Sequence, residues 1–242
     1  MMNMKTNSTH KILVSIIIPV YNEAEKIAGC LQNIFHVMES LEVSYEIIII
    51  DDGSIDGTAE AVKLVRNKGK VRIFRNIHNK GKGSALLKGI DKAEGDVIVT
   101  IDGDGQHLPE EIPLLVKPIL NGRAQTVIGS RFLEEKNRIP FRHMLANKII
   151  RNFFNILYGT HFTDVLLGFR AFRTEVFLSN INLTTIGYLI EVEILKELLS
   201  ASIKIEEVGV TCLYHQKSSI LRGIYITAQI LLGIIRFKIS NI

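Results

Sequence analysis

The chain has 242 residues, 47% of them hydrophobic and 22% charged, which suits a globular domain with a substantial core and excludes a disordered chain. Its net charge of +4 and pI near 9.0 favour anionic partners such as phosphates, nucleotides or acidic lipid. No dense Lys/Arg run interleaves with aromatics, so no nucleic acid is expected, and a mean hydropathy of +0.21 implies apolar surface beyond the core.

Residues 1–11 are polar and read as a disordered lead-in with no apolar segment of a secretory signal, so a cytoplasmic setting is expected. Leu13 to Val20 is a nearly continuous β-branched run, the pattern of a strand buried on both faces. A helix follows on Ile27, Leu31, Ile34 and Met38 at three- and four-residue spacing. Glu46–Ile50 is a second strand, Ala59–Asn67 a helix and Val71–Phe74 a third strand. Asn79–Gly83 forms a turn, Ser84–Ala93 a helix, and Val97–Ile101 a fourth strand running straight into Asp102. Pro109–Leu120 is helical, Thr126–Gly129 a strand, Pro140–Tyr158 a helix, and Ile203–Val210 a last strand. Buried strands alternating with helices predict an α/β fold: a mostly parallel sheet with helices on both faces.

Acidic residues gather at three strand ends: Glu23, Asp51 with Asp52, and Asp102 with Asp104. Ligands of open α/β sheets bind outside the carboxyl ends of strands, and grouping charges there is costly unless a cation or donor groups compensate. Asp102, Asp104 and Gln106 alternate, so in an extended loop they face one way. Their oxygens suit a hard cation, Mg²⁺ or Mn²⁺, with positions left for a diphosphate. Other motifs fail on spacing. An EF-hand loop beginning at Asp102 would need glycine at His107 and glutamate at Pro113, and Gly81-Lys82-Gly83-Ser84 lacks the ending of a P-loop. Leu86 stands where a dinucleotide fingerprint needs its third glycine. Cys30 and Cys212 are far apart without CxxC spacing, which excludes a zinc cluster and leaves them as buried thiols.

Pro19-Val20-Tyr21-Asn22-Glu23, Asp51-Asp52-Gly53-Ser54, Asn79-Lys80-Gly81-Lys82-Gly83 and Asp102-Gly103-Asp104-Gly105-Gln106-His107 occur in this order. Together, over about residues 12–215, they resemble the GT-A fold of family 2 glycosyltransferases, and most closely the dolichol-phosphate mannose synthase branch. The resemblance implies that Pro19, Tyr21, Glu23 and Asp51 hold the base and ribose of a nucleotide diphosphate sugar, with Asp52 and Lys82 beside it. It implies metal ligation by Asp102, Asp104 and Gln106, and a phosphate contact from Arg131 of Gly129-Ser130-Arg131. Thr163-Asp164 with Gly168-Phe169-Arg170 matches the acceptor-side motif, whose aspartate, here Asp164, is a candidate base. Asp164, Arg131 and Asp104 are therefore the expected catalytic group. The chain departs from the branch at Leu166-Leu167 and over Tyr214–Ser219, on the acceptor side.

Arg131, Arg138, Arg142, His143, Lys148 and Arg151 border an apolar helical face carrying Phe141, Leu145, Ile149, Ile150, Phe153 and Phe154. That combination fits a helix at a membrane surface, with Arg131 and Arg142 meeting the phosphate of a lipid acceptor. Ile220–Ile239 is apolar apart from Arg222, Gln229 and Arg236, spaced by seven. Two arginines disfavour a transmembrane span, so residues 216–242 are expected to be an amphipathic, in-plane, membrane-associated helix on the cytoplasmic face, with core or dimer packing as the rival. The expected reaction is an inverting hexosyl transfer to a polyprenyl or dolichyl phosphate. A glycan or lipid hydroxyl acceptor is the alternative. From other classes, a sugar-1-phosphate nucleotidyltransferase would need a Gly-rich, Arg-Lys loop after the first strand where Tyr21-Asn22-Glu23 stands, and a non-catalytic nucleotide-sugar-binding partner would be expected to lose its acidic ligands.

Overall fold

The computed structural model describes residues 12–65, 70–185, 187–214 and 220–239. The lead-in expected over residues 1–11, most of the late segment at 215–219, and the side chain of Arg222 lie outside the described residues.

Isoleucine-rich runs become the centre of the sheet. β1 (Leu13–Val20) pairs in parallel with β2 (Ser44–Asp51) on one side and with β4 (Val97–Thr100) on the other, while β3 (Val71–Arg75) flanks β2. Ile16, Ile17, Ile18, Ile47, Ile48, Ile49 and Ile50 are wholly buried, each contributing about 1.5–3 kcal/mol relative to exposure. Burial on both faces follows from helix cover. α1 (Ala24–Ser40), α2 (Thr58–Val65) and α4 (Ile112–Leu120, entered through a 3₁₀ turn at Pro109–Glu111) pack on one face. α3 (Lys82–Asp91), α6 (Thr174–Asn180) and α7 (Ile190–Ser200) pack on the other.

The seven strands lie in the order β3-β2-β1-β4-β6-β5-β7, with β5 at Thr126–Ser130 and β7 at Ile205–Gly209. β6 (Arg170–Arg173), which the sequence pattern did not predict, is inserted antiparallel between β4 and β5. Its reversal has a geometric result. Thr100 faces Arg170, so the start of β6 lies at the same sheet edge as the carboxyl end of β4. α6 and α7 were likewise not anticipated, and the expected strand Ile203–Val210 is shortened to β7.

α5 (Phe141–Tyr158) and α8 (Ile220–Ile239) pack together over a third apolar cluster that includes Ile150, Phe154, Leu195, Ile230 and Ile234. α8 therefore has one face in the core. No helix among the described residues is long and apolar enough to cross a membrane.

Candidate active site

A cleft of about 520 Å³ opens where β1, β2 and β4 end. It brings Pro19, Tyr21, Glu23, Asp52, Lys82, Asp102 and Asp104 together, as the motifs led one to expect, and adds Gly187 and Tyr188 from the loop before α7. Tyr21 is 44% exposed, so its ring is free to contact a ligand.

Each acid has a distinct local task. The Asp52 carboxylate accepts from Asn76 Nδ2 at 2.7 Å and from the amides of Lys80 and Gly81 at 3.0 and 2.7 Å, which fixes the turn ahead of α3. Asp51, expected at the nucleotide, is fully buried and does not line the cleft: Oδ1 accepts from the Ser54 amide at 2.7 Å and Oδ2 lies 3.3 Å from Arg75 Nε. Burial lifts Glu23 above the ordinary carboxylate range; Lys26, at 3.7 Å, draws it back and the charge of Asp104 raises it again. Glu23 and Asp104 therefore share an acidic corner.

Lys82 Nζ lies 2.8 and 3.0 Å from the two oxygens of Asp102 and 2.7 Å from Glu191 Oε1. Burial alone would lower this ammonium, but the two carboxylates hold it well above the ordinary lysine value. Burial would likewise raise Asp102; Lys82 keeps it below the ordinary carboxylate range. His107 is buried, stacks on Phe169 with ring centres 5.2 Å apart, and accepts the Asp102 amide at Nδ1 at 3.4 Å. Its pKa is lowered, chiefly by burial, so the ring is a neutral acceptor that orients the Asp102 backbone.

Two glycines make the crowding possible. A Cβ on Gly103 would lie 2.5 Å from Val20 Cγ1, so only glycine lets the Asp102–Asp104 backbone run against β1. A Cβ on Gly168 would lie 2.7 Å from Lys82 Nζ and 3.4 Å from Asp102 Oδ2, in the space the ion pair uses.

The arrangement fits a hard divalent cation. Asp102 already draws a positive charge, Asp104 Oδ1 caps the Gln106 amide at 3.0 Å, and the Gln106 side-chain oxygen has only a weak contact, 3.8 Å from Cys212 Sγ. Among the described residues no three His, Cys, Asp or Glu side chains converge as a metal cluster. Of the expected ligands, Asp102 and Asp104 line the cleft and Gln106 does not, so an ion would rest on the two carboxylates, with the Gln106 side-chain oxygen and ligand oxygens completing the shell.

The second half of the site follows β5. Asp164, fully buried, takes Arg131 as a two-pronged pair: Nε to Oδ2 at 2.6 Å and Nη2 to Oδ1 at 2.9 Å. Asn147 and Tyr214 also meet the guanidinium, at 2.9 and 3.4 Å. Against the effect of burial, Arg131 keeps Asp164 below the ordinary carboxylate range, and Asp164 keeps Arg131 above its own. Asp164 thus positions Arg131 rather than presenting a free basic oxygen. The positive charge of Arg131 reaches Asp102 and His107, so the two halves act on one another. Arg142 is exposed at the start of α5, and no contact among the described residues ties it to Asp164 or Arg131.

Sequence reasoning missed Glu191, Glu207 and the task of Arg170. Glu207 of β7 accepts from the Thr163 amide at 3.0 Å and the Asp164 amide at 3.2 Å, pinning that loop. Arg170, the largest fully buried side chain, grips the carbonyls of Leu167, Glu191 and Val165 at 2.7, 2.8 and 3.2 Å. Burial draws its guanidinium down to about 10, so it stays charged at neutral pH. The acids on α7 gave no signal, because the helix itself was not anticipated.

Known proteins resemble the chain in both sequence and fold. It is 37% identical to a dolichol-phosphate mannosyltransferase of Pyrococcus furiosus over 186 residues, 75% of this chain and 52% of that protein. It is 30% identical to a polyprenol monophosphomannose synthase of Mycolicibacterium smegmatis over 207 residues, 81% of this chain and 76% of that one. The chain spans about half the length of the first curated relatives it matches. A glucosyl-3-phosphoglycerate synthase of Mycobacterium tuberculosis, solved with Mn²⁺, uridine diphosphate and phosphoglyceric acid, superposes with a TM-score of 0.76 at 20% identity. That superposition covers 94% of this chain and 78% of the synthase and establishes the shared GT-A fold. The model of glycosyl transferase family 2 matches residues 15–179, from within β1 into α6, and the chain belongs to that family.

Proposed function

We propose that the chain transfers a hexosyl unit, with inversion, from a nucleotide diphosphate sugar such as GDP-mannose, UDP-glucose or UDP-GlcNAc to a polyprenyl or dolichyl phosphate. The observation that carries this reading is one sheet edge holding both an acidic cleft at Asp102 and Asp104 and a preformed Arg131–Asp164 pair. The first suits a diphosphate with its divalent ion. The second suits an anionic acceptor. Relatives named for polyprenol and dolichol phosphates support the acceptor class.

Pro19, Tyr21 and Glu23 would line the nucleotide, with Lys82 at the diphosphate. Mg²⁺ or Mn²⁺ on Asp102, Asp104 and Gln106 would supply Lewis-acid relief of the leaving diphosphate. The acceptor phosphate is already a nucleophile, so no base has to take its proton. Its oxygen forms the new bond to the anomeric carbon as the bond to the diphosphate oxygen breaks, the electron pair leaving with the diphosphate. Arg131, held straight by Asp164, orients the acceptor, and catalysis rests on positioning and electrostatics.

A membrane-docked face follows from the same reading. On α5, Phe141, Leu145, Ile149 and Ile156 form an exposed apolar stripe beside Arg142 and Lys148, and α8 exposes Ile224, Tyr225, Leu232 and Ile239. Such a face suits the cytoplasmic leaflet.

Incubation with membranes and several labelled nucleotide sugars tests the reaction. Label should enter the organic phase, and Asp104→Ala should abolish turnover while the protein remains folded. Label reaching only glycan or protein would reject the lipid acceptor, and near-normal turnover in EDTA would remove the metal from the reading.

A further inference from the structure

Lys82 meets two carboxylates, and only one of them belongs to the metal-binding motif. Asp102 faces the cleft. Glu191 lies behind, 4% exposed, at the start of α7. Among the described residues, Lys82 supplies the polar contact to Glu191 Oε1, at 2.7 Å, and no hydrogen-bond donor reaches that oxygen otherwise. Glu191 is itself fixed from the far side, because its carbonyl accepts Arg170 Nη1 at 2.8 Å. Gly168 keeps the space between Lys82, Glu191 and Asp102 free of a side chain.

We propose that Glu191 is a positioning residue that retains Lys82 whenever Asp102 turns from the ammonium to a divalent cation. The inference rests on the donor-site reading above. A part-buried lysine with Asp102 as its sole counter-charge would compete with any incoming cation, because breaking that pair leaves the ammonium at the cleft wall with no carboxylate against it. With Glu191 present, Lys82 keeps one full ion pair in either state. Asp102 then exchanges partners without exposing an uncompensated charge. Lys82 also stays at the cleft wall, where it faces the negative charge that develops on the departing diphosphate.

Binding of Mn²⁺, followed by the paramagnetic resonance of the free ion, tests this without any turnover. It is measured for the full chain with Mn²⁺ alone, with UDP and with GDP. Glu191→Gln and Glu191→Asp should each weaken Mn²⁺ binding in the presence of nucleotide by about fivefold or more, the size of coupling seen between contacting residues. The aspartate keeps the charge but withdraws it from Lys82, so it separates position from charge and serves as the second variant should the glutamine form fold poorly. In a Lys82→Met background Glu191→Gln should change the affinity by less than about twofold, because the coupling runs through Lys82. Equal weakening by Glu191→Gln in both backgrounds, or wild-type affinity in the aspartate variant, would overturn the proposal in favour of a long-range charge effect. Wild-type protein that binds Mn²⁺ while neither Glu191 variant alters it overturns the proposal alone. A wild-type protein that binds no Mn²⁺ with either nucleotide overturns the donor-site reading along with it.

Discussion

Replacing Asp164 with asparagine keeps its shape and removes its charge, which isolates what the buried pair contributes. Arg131 would then be left with a guanidinium only 11% exposed and no carboxylate against it, a change that typically destabilises by about 3–5 kcal/mol. The sign of the pH dependence follows from the depressed folded value of Asp164. The contribution is complete above the ordinary value of 3.8 and is lost as the pH falls through the lower value in the folded protein. Denaturant unfolding of wild type and Asp164→Asn should therefore show a wide stability gap at neutral pH that closes as the pH falls below the ordinary carboxylate value. A gap independent of pH would mean that the ion pair is not its source. At this scale the motifs located Asp102, Asp104 and Lys82 correctly at a common cleft, because strand ends fix positions of nearby residues in the chain. They did not reveal that the Asp52 carboxylate is occupied by backbone amides of residues 80 and 81, since a carboxylate that binds its own loop is indistinguishable in sequence from one that binds a ligand.

Elements differ in how openly they declare themselves. β1, β2 and β4 are apolar on both faces, and a run such as Glu46–Ile50 has few other uses than a covered central strand. β6 hides because it is four residues long and bounded by arginines, one of them buried and spent on three carbonyls. α7 hides for a related reason: Glu191 and Glu193 point inward, so its periodicity looks broken. Glu193 is the clearer structural case. Its carboxylate accepts the Thr184 amide at 3.0 Å, the Thr184 hydroxyl at 2.7 Å and the Thr185 amide at 2.9 Å, tying the loop that leads to Tyr188 at the cleft. Glu193→Ala should accelerate hydrogen exchange at the Thr184 and Thr185 amides by about tenfold or more, the worth of bonds to a charged acceptor, while the amides of β1 stay protected. Unchanged exchange at those two amides would show that the loop is held by something else.

For the whole molecule, apolar surface is distributed unequally. α5 buries Asn147, Ile150 and Phe154 on one side and exposes Phe141 and Ile156, at 70% and 81%, on the other. α8 likewise shares the core through Ile230 and Ile234, as the core-packing rival expected, and exposes Ile224, Tyr225, Leu232 and Ile239 elsewhere. Co-sedimentation with anionic vesicles checks the proposed docking. Gln at Arg142 and Lys148 should weaken association by about 1 kcal/mol per residue, and rising salt should weaken the wild type in the same direction. Phe141→Asp should reduce binding to vesicles of any charge. A wild-type protein that stays in the supernatant would assign the apolar stripe to another partner.

The reversed strand β6 has a consequence for how such a protein is able to change. The chain leaves the sheet after Ser130 and rejoins it at Arg170, and both points lie at the cleft edge because β6 runs against its neighbours. Everything between them, α5 and the Asp164 loop included, is a single excursion that begins and ends beside the cleft. The ends of β1, β2 and β4 that line the cleft are made by other parts of the chain. Insertions or substitutions within that excursion therefore reshape one side of the cleft while the backbones of β1, β2 and β4 keep their places, except near Gly168, which borders Lys82 and Asp102.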